Sequence, residues 1–242
     1  MIYTPLTKKA LKLCFEAHKD QVDKAGLPYV FHPFHLAEQM EDEDSTVTAL
    51  LHDVVEDSPC TLRDLKKQGF PPQVLEALSL LTRDPAEPYL EYVCRVGCNP
   101  IAAQVKLADL DHNSDLSRLD QVTEQDRQRA EKYTLARTIL SNFRYDPELG
   151  YGSTSFVVNQ AGSIYLTITA TPDQILGFRV DAEEKGVRLA LPPAAVRQLE
   201  ALWPGEDSFF RKLERYLEQH DFARFRDFLD QNGVFYTEEE QY

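Results

Sequence analysis

The sequence predicts a mainly α protein, an all-helical domain over residues 1–148 followed by a small α+β domain over residues 149–242. Three observations carry this. Apolar residues recur at helical spacing in segment after segment up to about residue 141, with no strand-like alternation. The texture then changes at "FRYDPELGYGSTS", after which Val, Ile, Thr, Tyr and Phe dominate Thr154 to Leu191. With 242 residues the chain is long enough for one medium domain and one small one.

Thr4-Pro5 is a helix cap followed by proline at the first helical position, and Ala10, Leu11, Cys14, Phe15 and His18 then recur at helical spacing. Gly26 and Pro28 break that pattern, so "QVDKAGLPYV" reads as a loop. Pro33 opens a short helix through about Gln39, and Ser45 or Thr46 caps the next, which carries "TALLHDVVEDS". Further helices are predicted over 61–68, 72–82, 87–96, 100–112 and 124–141. The last follows Thr123 with Asp126 three residues on, a variant of the capping box. After the change of texture, a hairpin signal at Asn159 to Gly162 and a turn at Glu183 to Gly186 divide three or four strands. Helical spacing returns over Pro192 to Trp203 and in two stretches between Asp207 and Asn232, where Phe222, Phe225, Phe228 and Leu229 make one face expected to pack on the sheet. The acidic run Glu41 to Asp44 reads as a solvated turn and the tail "TEEEQY" as a frayed terminus. The domain boundary is placed near residue 148, and the chain has no internal repeat or low-complexity tract.

Composition narrows the function classes. Hydrophobic residues at 43% and charged residues at 27% are those of a soluble globular protein, and no apolar run approaches the roughly 18 residues of a membrane span. The opening residues lack the basic region, apolar core and cleavage site of a signal peptide, so a cytoplasmic location is expected. Net charge is −14, from 26 basic and 40 acidic residues, which argues against binding a DNA or RNA duplex or an anionic membrane. A polyanionic ligand would have to be held by a few placed cations or a metal. Cys14, Cys60, Cys94 and Cys98 read as small thiols; Cys94 and Cys98 lack a partner pair for zinc.

The chemistry concentrates in "TALLHDVVEDS", where His52, Asp53, Glu56 and Asp57 interrupt an apolar helical stretch. Glu56 lies one turn beyond His52, and Asp57 one turn beyond Asp53, so the four polar groups share a small volume while Val47, Leu50, Leu51, Val54 and Val55 hold the core. A divalent cation is an economical way to satisfy buried carboxylates and an imidazole together. "PYVFHP" adds His32 at a loop-to-helix junction, and "VKLADLDHNSDL" adds Asp109 near the end of an apolar helix, with Asn113 one turn later. His32, His52, Asp53 and Asp109 would form a two-nitrogen, two-oxygen site with open positions, suited to Mn(II), Fe(II) or Zn(II).

In this order, "AHKDQVDKAGLPYVFHP", "ALLHDVVEDS", "LLTR" and "VKLADLDHNSDL" resemble the HD-domain hydrolases of the RelA/SpoT type, which include stand-alone small alarmone hydrolases, over roughly residues 8–140. The resemblance implies a helical HD domain with His32, His52, Asp53 and Asp109 as ligands, usually to Mn(II). It implies that Glu56 and Asp57 position and deprotonate the attacking water, and that Lys24 and Asn113 contact substrate. The implied substrate is ppGpp, an anionic nucleotide, cleaved to GDP and pyrophosphate. The chain departs from the pattern at Asp23, where the family usually carries an arginine that packs on the purine. Aspartate there removes stacking and positive charge and repels phosphate. Two rival readings follow: a phosphohydrolase acting on another nucleotide, such as a deoxynucleoside monophosphate or a 2′-phosphorylated dinucleotide, and a non-catalytic nucleotide-sensing module.

His18 reads as a packed histidine, His35 as solvated or supporting a ligand, His112 as a helix-end charge and Lys106 as a solvated cation. After residue 140 no synthetase domain is recognisable, and the region from residue 150 suits homo-oligomerisation, a regulatory ligand site or a lid.

Overall fold

The computed structural model describes residues 1–87, 89–159, 164–182, 187–203 and 209–240. The chain divides into two units, one of residues 1–87 and 99–141 and the other of residues 88–98 and 142–242.

The first unit is helical. It comprises α1 (Pro5–His18), α2 (Phe31–Glu38), α3 (Glu43–Leu51), α4 (Val54–Asp57), α5 (Leu62–Lys67), α6 (Pro72–Leu81), then α8 (Pro100–Ser114) and α9 (Glu124–Asn142), whose last residue passes into the other unit. Helix α3 is the hub, packed by α1, α2, α6 and α8. Every residue from Ser45 to Leu51 is buried, as a helix with neighbours on all sides requires. Two of its three hydroxyls bond back to the cap: Ser45 Oγ donates to Asp42 Oδ2 and Thr46 Oγ1 to the Asp42 carbonyl, both at 2.6 Å, while the buried Thr48 Oγ1 has no hydrogen-bond partner among the described residues. The cap is therefore Asp42, which accepts from Ser45 N, and neither Ser45 nor Thr46 fills that position. The acidic run is thus no solvated turn, since Glu43 and Asp44 form the first turn of α3, where carboxylates suit the helix dipole. Thr4 caps α1 as the sequence indicates, and Thr123 and Asp126 exchange the reciprocal bonds of a capping box. Helix α2 begins at Phe31, two residues before Pro33, which occupies its first turn without needing an N–H partner.

The motif helix is not continuous. Helix α3 stops at Leu51, His52 and Asp53 form a turn, and α4 restarts at Val54. His52 Nδ1 lies 2.8 Å from the Ala49 carbonyl, the acceptor that a continuing helix would offer to Asp53 N–H.

The second unit contains α7 (Tyr89–Gly97), strands β1 (Arg144–Asp146), β2 (Tyr151–Asn159), β3 (Ile164–Ala170), β4 (Ile175–Ala182), β5 (Val187–Leu191) and β6 (Thr237–Glu240), and helices α10 (Pro193–Leu202), α11 (Phe209–Gln219) and α12 (Phe222–Gln231). The strands pair antiparallel in sequence order, a six-stranded meander. Strand β3 alternates buried and half-buried residues, so Ile164, Leu166 and Ile168 fall on one face with their partners Ala182, Val180 and Phe178 in β4. Leu189 and Leu191 of β5 extend that face. Helix α10 packs on β4 and β5, and α11 on β2. Phe222, Phe225 and Leu229 of α12 are buried, whereas Phe228 is half-buried and stacks on Trp203.

Two features differ from the sequence reading. There are six strands among the described residues, because β1 precedes the Val- and Ile-rich stretch and the acidic tail forms β6 against β5. Helix α7 belongs with the sheet unit, with Tyr92, Val93, Cys94 and Val96 buried and Cys98 Sγ 3.8 Å from the Ala170 carbonyl, so a single boundary near residue 148 does not describe the grouping. The predicted turns at residues 160–162 and 183–186 lie outside the described residues. No helix among the described residues is long and apolar enough to cross a membrane.

Gly152 in β2 leaves no space for a side chain: a Cβ there would meet the Phe143 ring and lie 2.8 Å from the Arg144 carbonyl. Gly152→Ala is expected to destabilise the second unit by about 1–3 kcal/mol, read as a lowered thermal midpoint. An unchanged midpoint would show that the ring moves aside without cost.

Candidate metal centre

His32, His52, Asp53 and Asp109 come from three helical segments that converge around α3. The loop before α2 delivers His32: Gly26 at φ 76° permits a tight turn, Asp23 and Leu27 pair through their backbones, and Asp23 Oδ1 accepts from Ala25 N and Leu27 N at 2.9 Å. The turn between α3 and α4 presents His52 and Asp53, and the last turns of α8 present Asp109. His32, His52 and Asp109 are buried, and a donor atom of each lies within 4.8 Å of those of the other two. His32 Nε2 stands 3.3 Å from His52 Nε2 and 3.2 Å from Asp109 Oδ1. Asp53 joins from the His52 side, its Oδ2 2.9 Å from His52 Nε2 and 3.7 Å from His32 Nε2.

The spacings among His32, His52 and Asp109 fit a single ion, with Asp53 beside them on the His52 side and outside that mutually close set. Donors bound about 2.1 Å from one cation and adjacent in its shell lie roughly 3 Å apart. The donor chemistry, two imidazoles and two carboxylates, suits a borderline divalent ion.

Supporting groups hold each donor. The Tyr29 hydroxyl donates to Asp53 Oδ2. Lys106 Nζ donates to Asp109 Oδ2 at 2.7 Å, and the Asn113 amide donates to Asp109 Oδ1. Lys106 is thus largely buried, with 16% of its side chain exposed, and is not the solvated cation its sequence position suggests. His112 is likewise no helix-end charge: its Nδ1 lies 2.7 Å from His32 Nδ1, and burial, with His32 and Arg118 nearby, lowers its pKa to about 4. His35 is exposed with its ring 4.6 Å from that of His112, and His18 is a packed histidine whose Nδ1 meets Gln21 Oε1 at 2.7 Å.

Electrostatics follow the packing. Burial pushes Asp109 upward, but Lys106 and the two imidazoles outweigh it and hold the carboxyl well below the usual range. Asp53 is likewise buried, yet His52 holds it at about 2. Glu56 and Asp57 sit at the exposed edge, and both are raised, by burial first, with Asp53 adding to each. Glu56 Oε1 accepts from Arg83 N at 2.5 Å. Burial raises the thiols of Cys14 and Cys98 to about 12, so they are poor metal ligands.

No family model matches the chain. Curated relatives include the bifunctional (p)ppGpp synthase/hydrolase SpoT of Escherichia coli strain K12, 32% identical over 121 residues, or 44% of this chain and 17% of the relative. The guanosine-3′,5′-bis(diphosphate) 3′-pyrophosphohydrolase of Haemophilus influenzae is 31% identical over 135 residues, 50% of this chain and 20% of the relative. Over part of its length, the chain is related to RelA/SpoT-type (p)ppGpp hydrolases. It spans about a fifth or less of the length of these relatives. A solved structure described as a metazoan ortholog of SpoT that hydrolyzes ppGpp matches with 25% identity and a TM-score of 0.48, over 57% of this chain and 86% of that one.

The two residues that the RelA/SpoT resemblance assigns to substrate line a cavity of about 270 Å³ that also includes Tyr29, Arg118 and Arg129. Lys24 is mostly exposed, with its ammonium 4.0 Å from Asp126, and Asn113 reaches both the cavity and Asp109. Asp23 also lines this cavity, but its carboxylate is not an uncompensated charge: Arg118 Nη2 donates to Asp23 Oδ2 at 2.6 Å. The repulsion of phosphate expected at Asp23 is therefore largely cancelled. Tyr29, Lys106, His112 and Arg118 are the site residues that sequence reasoning missed or read as bland. Tyr29 carried a signal, three residues before His32 in the same motif.

In the metal-free protein, burial disfavours the His52 imidazolium, but Asp53 and Asp109 outweigh it and raise His52 from 6.5 to about 9. That contribution to stability is fully present below pH 6.5 and is lost as pH rises through about 9. An entering cation must displace the proton. Binding at pH 7.5 is therefore expected to release about one proton per ion, with affinity rising up to pH 9 and level above it. Calorimetry in buffers of different ionisation enthalpy reads this, and an enthalpy at pH 7.5 independent of buffer would show His52 already neutral.

Proposed function

We propose that the chain is an HD-type, Mn(II)-dependent phosphohydrolase that cleaves ppGpp to GDP and pyrophosphate. The observation that carries this is the convergence of His32 Nε2, His52 Nε2, Asp53 Oδ2 and Asp109 Oδ1, with contacts of 2.9–3.3 Å along the chain from Asp53 through the imidazoles to Asp109, beside two carboxylates of raised pKa. The relatedness to proteins named as ppGpp hydrolases supports the choice of substrate.

A bound divalent ion supplies Lewis acidity, which acidifies water and polarises a phosphoryl oxygen. The remaining work falls to the chain. Glu56 and Asp57, raised from their ordinary values chiefly by burial, accept the proton of the attacking water more readily than a normal carboxylate would. Arg83 N fixes one oxygen of Glu56 and so orients the other. The water oxygen bonds the phosphorus attached to the ribose 3′ oxygen, that P–O bond breaks, and the 3′ oxygen takes a proton, so GDP and pyrophosphate leave. Lys24 and Asn113 contact the anionic substrate from the cavity side. Such an enzyme would work in the cytoplasm, with the sheet unit available for homo-oligomerisation.

Hydrolysis of another nucleotide is the second reading, favoured by Asp23 standing where the RelA/SpoT resemblance implies an arginine. Incubating Mn(II)-loaded protein with ppGpp and resolving the products by ion exchange decides between them. GDP and pyrophosphate in equal amounts are expected; intact ppGpp, with turnover of a different nucleotide, would select the second reading. Asp53→Ala and His52→Ala are expected to lose metal retention and turnover together, and an active variant without metal would overturn the site assignment. Glu56→Gln is expected to keep the metal and lose about 10²–10⁴-fold in kcat, measured beside metal content.

A further inference from the structure

Arg118 ends the short 3₁₀ turn Leu116–Arg118 that follows α8. Its guanidinium is held at both ends. Nη2 donates to Asp23 Oδ2 at 2.6 Å, while Nη1 lies 3.1 Å from both the His112 carbonyl oxygen and His112 Nδ1. Asp23 is itself fixed, since its other oxygen accepts two backbone N–H groups of its loop. The pair is largely shielded, with side-chain exposures of 26% for Arg118 and 13% for Asp23.

A guanidinium has five N–H donors, no acceptor, and never gives up its charge in a protein. The imidazole nitrogen facing it must therefore be a lone pair, so His112 Nδ1 is an acceptor and any single proton on that ring sits at Nε2. That same nitrogen lies 2.7 Å from His32 Nδ1. Two lone pairs do not face each other at that distance, so His32 Nδ1 carries hydrogen and donates. A histidine that binds a metal carries only one ring proton. With a cation bound, His32 Nε2 is then the lone pair that faces it; in the ion's absence this nitrogen stands 3.2 Å from Asp109 Oδ1 and 3.3 Å from His52 Nε2.

We infer that Arg118, braced by Asp23, is a positioning residue: it fixes the tautomers of His112 and then His32, so that His32 turns its Nε2 lone pair to a divalent cation. The inference rests on the reading of the cluster as a metal site. It gives Asp23 a role of its own, two hydrogen-bonded partners away from the ligand it supports.

The test uses the full chain with ¹⁵N-labelled histidine. Long-range ¹H–¹⁵N correlation on the metal-free protein, at an alkaline pH where the ¹⁵N shifts show each ring to be neutral, reads each tautomer. His32 protonated at Nδ1 and His112 at Nε2 is the expected wild-type result. Arg118→Met keeps the aliphatic stem and removes the donors; His32 should then shift toward the Nε2–H form. The dissociation constant for Mn(II), followed by electron paramagnetic resonance of the free ion, should rise about 10–100-fold. Arg118→Lys, which keeps a donor, should recover part of the loss, and Asp23→Asn should weaken binding in the same direction. His32 protonated at Nε2 in the wild type overturns the inference. So does folded Arg118→Met protein with wild-type tautomers and Mn(II) affinity within about twofold. Should Arg118→Met fail to fold, the wild-type spectrum and Asp23→Asn decide. Wild-type protein with these tautomers that binds no Mn(II) overturns the metal reading alone, which separates the two failures.

Discussion

The structure of the first unit is governed by the need to bury two carboxylates and two imidazoles side by side in a helical core. Isolated ionised groups there would each carry a large desolvation cost, so the charges persist only because each has a partner. Asp109 has Lys106 and Asn113, Asp53 has Tyr29 and His52, and the imidazoles lie between the carboxylates. Helix α3 makes the arrangement feasible, since it is enclosed on every side and brings His52 to the centre just where the helix breaks.

The groups around the two carboxylates donate, whereas those behind the two imidazoles accept. Tyr29 donates to Asp53, Lys106 and Asn113 to Asp109, and Arg118 to His112. A shell of donors satisfies the outward lone pairs of the carboxylates and leaves others facing the common centre. His52 contributes the complementary case, because its Nδ1–H is taken up by the Ala49 carbonyl and its Nε2 is the nitrogen turned inward. Such outer contacts orient metal ligands and set their tautomers. The side chains of the cluster are therefore preorganised by bonds whose directions agree with one another.

Much of this was legible in the sequence, because it depended on local pattern. The helices of the first unit were predicted by apolar spacing and by caps such as Thr4-Pro5 and Thr123 with Asp126, whose bonds span only a few residues. The four candidate ligands were read from residue type and order; the structure groups the donor atoms of His32, His52 and Asp109, with Asp53 beside His52. Partnership across the chain was not legible. Nothing in the periodicity of α7 says that it belongs with the sheet, and β6 carries three glutamates in a segment whose composition suggests a solvated tail. Lys106 read as a solvated cation because a basic residue on a helix face is solvated by default; its acceptor is the second oxygen of the Asp109 carboxylate.

Asp23 shows why a substitution in a motif has to be judged in three dimensions. In the linear chain it exchanges a cation for an anion in a loop expected to meet phosphate. In the folded chain a cation stands beside it, supplied by Arg118 from 95 residues away. The site's local charge is thus closer to neutral than the motif indicates, and a guanidinium lines the cavity from a different element. Because the same guanidinium also meets His112, the wall of the cavity and the orientation of His32 depend on one residue. Shape and charge in the cavity cannot be altered at 23 or 118 without also altering the surroundings of His112 and, through it, of His32. The charge of the cavity wall and the setting of His32 are linked in this chain through a single ion pair.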